Sequence, residues 1–181
     1  MTFSALSLDT LLQSDPDALY EQAVRWRHGD GLGSDLFSAR RVFGFLSLSA
    51  HSAARYQLGV MNLRGEAGVK NPVRALMWFR LAHGRDEPRA ASQIKMLSEE
   101  LTSNDARRAL KMMADAEKSV RLFFLARDTN SDQSIHAMAT LGANLLHGVG
   151  VEQDVMLAIE WLQRAAHQHH PYALLHLGLA Y

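Results

Sequence analysis

The 181-residue chain contains no cysteine, which excludes disulfides, thiolate chemistry and a thiolate zinc site. It has no charge of either sign in excess: Lys plus Arg and Asp plus Glu are 19 each. That balance gives no electrostatic case for nucleic acid or for an anionic membrane surface. No run approaches the ~18 apolar residues of a membrane-spanning helix. The N-terminal stretch MTFSALSLDTLLQSD has no basic segment, and Asp9 interrupts its only apolar run, so it does not read as a secretory signal. A chain without cysteine, signal or span is expected in the cytoplasm.

What the chain does have is 48% hydrophobic residues, enough for a sizeable core, and an internal repeat. The strongest copy runs from Ala137 to Trp161, AMATLGANLLHGVGVEQDVMLAIEW, with Leu141-Gly142, Gly148, Gly150-Val151, Asp154 and Ala158 inside it. Ala54, Leu58-Gly59, Gly65, Asn71, Ala75 and Trp78 fall on the same marks 83 residues earlier, and Ala18, Gly29, Asp35, Ala39 and Val42 a further 36 earlier. Ala173 and Leu177-Gly178 repeat the start of the unit 36 residues after Ala137.

Each copy reads as two helices. Asp15-Pro16 starts a helix over roughly 16–28, with a capping carboxylate and a proline at the first helical position. Gly29 closes it, as Gly65 and Gly148 close the first helices of later copies. Asp35, Asn71 and Asp154 share one phase and cap the second helices. The first helix of the second copy is expected over 52–64, with Ala54, Leu58, Gly59 and Leu63 inward. Gly59, in mid-helix, costs about 1 kcal/mol on propensity, so a recurrent glycine there calls for close helix approach. Residues 86–136 break the pattern. Thr102 and Asp105 form a capping-box pair starting a helix that reaches about Ala126. The stretch 128–133, DTNSDQ, is a polar loop, and a last helix runs from near Pro171 to Tyr181. The expected total is eight or nine helices in antiparallel pairs. The domain expectation is a single array over 1–181, with units at 16–51, 52–86, a degenerate 87–136, 137–170 and a terminal helix 171–181.

These residues resemble the motif A-x3-L-G-x2-Y-x2-G-x-G-V-x2-D-x3-A-x2-W of the Sel-one-like repeats, relatives of the tetratricopeptide repeat. The copy at 137–161 matches almost throughout, with Leu145 at the tyrosine position. The copy at 54–78 has Asn62 there and a shifted Gly68-Val69, and that at 18–42 has Gln22-Ala23 for Leu-Gly and Val42 for Trp. The resemblance implies an all-α, right-handed α/α solenoid used as a protein-interaction platform, often bacterial.

Chemistry is sparse. His167, His169, His170 and His176 cluster late in the chain without an acidic companion or an HExxH pattern, and they read as polar residues around an interhelical turn. His28, Arg64 and His147 precede the closing glycines, where a basic group faces the negative end of the helix dipole. The segment Gly29 to Asp35 lacks the Gly-Lys-Ser/Thr of a phosphate loop and the twelfth-position Glu of a calcium loop, and reads as a repeat turn. No catalytic constellation, metal or cofactor is expected. By analogy with tetratricopeptide repeats, the first helices line a binding wall at Tyr20, Val24, Arg27, Tyr56, Val60, Arg64, His136, Ala143 and His147. The expected function is a scaffold or adaptor taking a peptide or helix of a partner protein. The alternative is a dedicated immunity or chaperone-like partner of a bacterial toxin or effector.

Overall fold

A computed structural model of the protein describes residues 6–29, 34–127 and 131–180. Among them the secondary structure is entirely helical. Ten helices follow in order: α1 Leu8–Gln13, α2 Pro16–His28, α3 Leu36–Leu48, α4 Ser52–Arg64, α5 Pro72–His83, α6 Ala90–Glu100, α7 Ser103–Arg127, α8 Asp132–His147, α9 Val155–His167 and α10 Pro171–Ala180. The ten described helices exceed the expected eight or nine. No described helix is long and apolar enough to cross a membrane.

The chain divides into two compact units, one of residues 14–114 and one joining the first 13 residues to those from Asp115 onward. The division falls inside α7. In each unit, helix pairs pack in the α/α-solenoid manner: α2 with α3 and α4 with α5 in the first, α8 with α9 in the second.

The expected caps form. Asp15, Asp35, Asn71 and Asp154 accept from the backbone N–H three residues on, at Ala18, Ser38, Arg74 and Leu157. Thr102 and Asp105 bond reciprocally, Asp105 N–H to the threonine hydroxyl at 3.2 Å and Thr102 N–H to the carboxylate at 3.4 Å. Gly29, Gly65 and Gly148 sit in the left-handed region at φ 80°, 75° and 68° and close α2, α4 and α8. The rest of the expected turn at Gly29 to Asp35 lies mostly outside the described residues, as do Tyr181 and the first half of the 128–133 loop.

A second device, which no residue type signals, also holds the repeat phase. The N–H groups of Asp35, Asn71 and Asp154 donate to the carbonyls of Trp26, Asn62 and Leu145 at 2.8, 2.8 and 3.1 Å. Each bond ties the start of a second helix to the end of the first. With both ends fixed, the small residues meet large partners. Ala39, Ala75 and Ala158 are fully buried, and so are Trp78 and Trp161 to within 1%. A Cβ on Gly59 would lie 2.6 Å from the Phe79 ring, and one on Gly142 would lie 2.7 Å from Leu162 Cγ. Close approach is thus the reason for glycine in mid-helix. Gly150 is tighter still, since its Cβ would lie 2.4 Å from the backbone carbonyl carbon of Asp115 in α7.

Candidate interaction surface

In the 14–114 unit, α2 and α4 place Tyr20, Val24, Tyr56 and Val60 half-exposed and Arg64 exposed. Arg27 differs from its neighbours. Its side chain is 8% exposed and binds Glu66 with Nε–Oε2 2.7 Å and Nη2–Oε1 3.0 Å. Its remaining nitrogen donates to Gln57 Oε1. Arg27 therefore braces α2 to the loop after α4. The Arg27 hydrogen bond, opposed by burial, holds the Glu66 carboxyl below the usual glutamate value. Arg64 reaches the same carboxylate at 3.5 Å from a side chain 67% exposed.

The two tyrosines share one surface. Gln57 Nε2 donates to the Tyr20 hydroxyl at 3.1 Å, and the Tyr20 ring stacks on His51 at 5.1 Å between centroids. The Arg89 guanidinium lies 4.7 Å above the Tyr56 ring, in cation–π range. Arg89 is in turn held by both oxygens of Glu87, at 2.7 Å each. The Glu87 carboxylate first, then the Tyr20 hydroxyl, raise the Arg89 pKa above its ordinary value, against the pull of desolvation. The same bridge holds Glu87 below the carboxylate range. Tyr20, Tyr56, Gln57 and Arg89 thus form one polar-aromatic patch. Arg89 and Glu87 lie in the region where the repeat pattern fails, so repeat phase does not point to them. The only sequence signal is their i, i+2 opposite charge.

In the other unit, α8 presents His136 and His147 to solvent, while Ala143 is buried at 5% exposure. Ala143 therefore contributes packing rather than a free contact. His136 Nδ1 lies 3.4 Å from His170 Nε2. The His147 ring meets His176 edge-on at 5.8 Å, and His176 meets Tyr172 at 4.2 Å. His167 and His169 are exposed beyond this row. Among the described residues no group of three or more His, Asp or Glu is placed to hold a metal ion.

The Sel1 repeat family model matches this chain at residues 52–82 and 135–170, the α4–α5 pair and the segment from α8 through the turn after α9. The likeness to Sel1 repeats rests on these two segments. Similar solved structures include a Sel1 repeat protein from Oxalobacter formigenes, at 21% identity, TM-score 0.48, and coverage of 95% of this chain and 65% of that one. Another is c5321, a protective antigen in uropathogenic Escherichia coli strains displaying an SLR fold, at 22% identity, TM-score 0.48, and coverage of 95% and 42%. The chain spans just under two thirds of the first and under half of the second.

Proposed function

We propose that this protein is a non-catalytic scaffold that holds a peptide or helix of a partner protein against the α2–α4 face. One observation carries the reading. Tyr20 and Tyr56 stand half-exposed around a single Arg89 guanidinium whose geometry Glu87 already fixes. Tyrosine and arginine are the side chains most often found as binding anchors, and anchors that are ordered beforehand lose less entropy on association. Arg64 stands exposed beside them and supplies a steering charge.

A photo-crosslinking residue at Val60, compared with one at the exposed Phe37, tests the reading. Capture of one partner from position 60 and not from 37 is the expected result. Tyr56→Ala should then weaken that complex at least about tenfold, as truncation of a central anchor does. Circular dichroism must show that the variant stays folded. Arg64→Ala should act mainly on the association rate and its salt dependence. Full-strength binding by a folded Tyr20→Ala, Tyr56→Ala double variant would move the interface elsewhere.

A further inference from the structure

Two histidines of the second unit meet nitrogen to nitrogen. His136 is on α8, and His170 immediately precedes Pro171, the first residue of α10. The backbone of His170 is held on both sides. Its N–H donates to the Ala165 carbonyl at 3.2 Å, and its own carbonyl accepts from the N–H groups of Ala173 and Leu174 at 3.1 and 3.2 Å. His136 Nδ1 then faces His170 Nε2 at 3.4 Å. By contrast, the His147 and His176 rings meet edge-on at 5.8 Å between centroids, an aromatic contact without facing nitrogens.

The bland reading is a hydrogen bond between two neutral imidazoles. Three observations tell against it. The separation exceeds the usual range for N–H donors, about 2.7–3.2 Å. The Thr140 hydroxyl gives its proton to the His136 carbonyl at 2.9 Å, so its oxygen faces His136 Nε2 at 3.5 Å as an acceptor. That places the His136 proton on Nε2 and leaves Nδ1 bare toward His170. His170 Nδ1 is buried and has no hydrogen-bond partner among the described residues, so the pairing does not satisfy that ring either.

The separation does fit a shared cation. Two imidazole bonds of about 2.05 Å at the tetrahedral angle put their nitrogens about 3.3 Å apart. A right-angled pair of similar bonds, as in octahedral coordination, would need about 3.0 Å. The observed 3.4 Å matches the tetrahedral bite, and imidazole nitrogen suits zinc where magnesium and calcium prefer oxygen. Thr140 supplies the outer contact that sets the tautomer of a ligating histidine.

We propose that His136 Nδ1 and His170 Nε2 form a two-imidazole site for Zn2+. A pair is fewer ligands than the three or four of a closed or catalytic zinc site. Two positions therefore remain for water or for a donor from a bound partner, and His136 is exposed, so they are reachable from solvent. The site lies on α8 and the turn before α10 and does not depend on the α2–α4 face.

The probe is Zn2+ alone, titrated calorimetrically into the intact chain without an affinity tag. The pH is kept above the ordinary histidine value of about 6.5, where the imidazoles are free to bind. One ion per chain is expected, with no heat from Mg2+ at the same concentration. His136→Ala and His170→Ala should each weaken binding at least about tenfold, since losing even an outer-shell support costs about 10–100-fold. His136 is exposed, so its variant keeps the fold, and circular dichroism checks this. His147→Ala, and the exposed His167→Ala with His169→Ala, should bind as the wild type does. In nitrogen NMR, the ring signals of His136 and His170 should shift together on adding the ion. Absent binding, or full-strength binding by folded His136→Ala, overturns the proposal. So does an equal loss in the His167→Ala, His169→Ala variant, which would place the ion on the exposed turn.

Discussion

Single residues set how close the helices come. At Gly142 the added Cβ would meet both a side chain at 2.7 Å and the Ala158 carbonyl oxygen at 3.1 Å. Leu162 can rotate away, but the backbone cannot, so Gly142→Leu must overpack the α8–α9 interface. The expected loss is about 1–3 kcal/mol or more, read by chemical denaturation. An unchanged midpoint would mean that the slot relaxes without cost. Gly150 is held more strictly, since its positive φ and the α7 backbone both exclude a side chain, and Gly150→Ala should destabilise although the change is a single methyl group. Glu66 gives a different readout. Its folded pKa is depressed by Arg27, so its contribution to stability is complete above the ordinary glutamate value. That contribution is lost as pH falls through the ordinary value and then the lower folded one. Glu66→Gln should therefore cost stability at pH 7 and progressively less below about pH 4.3, the usual glutamate pKa. Parallel stability–pH curves for variant and wild type would show that the Arg27 pair contributes nothing.

At the scale of elements, helix starts and stops were legible because they depend on residue chemistry at one fixed position. Asp35, Asn71 and Asp154 are recognisable caps on sequence alone, and each accepts the bond expected of it. Removing any one side chain, for instance Asp154→Ala, should cost about 1 kcal/mol in an equilibrium unfolding experiment. A cost near zero at all three would leave the inter-helix N–H bonds as the true phase-setters. What stayed hidden was whatever depends on neighbours distant in sequence. Arg55 looks like a surface residue of α4, yet it is fully buried and donates to the carbonyls of Ser47 and Leu81 at 3.4 Å. It serves the C-terminal ends of α3 and α5, where the helix dipoles favour a cation. Glu87 and Arg89 were hidden for the same reason. The partly exposed faces of α2 and α4 were legible through Tyr20 and Tyr56, whereas the burial of Arg27 and Ala143 depends on what packs above them.

For the molecule as a whole, the sequence order of the helices is not their order in the compact units. The short α1 precedes the first repeat but belongs with residues from Asp115 onward. Leu8 and Leu11 are buried to within 1%, the Leu8 N–H donates to Glu160 on α9 at 2.6 Å, and Asp9 pairs with Arg164. Nothing local predicts this, because α1 is six residues long and its partners lie about 150 positions away. A helix so short is not stable alone, so its order is supplied by α9. In return it covers part of α9 that would otherwise meet water. The two leucines should therefore support one unit selectively. Large-to-small substitution of a buried leucine costs about 2–5 kcal/mol, so Leu8→Ala with Leu11→Ala is a severe lesion within its own unit. Hydrogen exchange by mass spectrometry separates the outcomes. Amides of α9 should exchange faster in the variant while those of α4 and α5 keep their protection. Leu58→Ala, at a fully buried site of the other unit, should give the reverse pattern. If both variants deprotect every helix equally, the two units unfold as one, and α1 stabilises the whole molecule rather than the unit it joins.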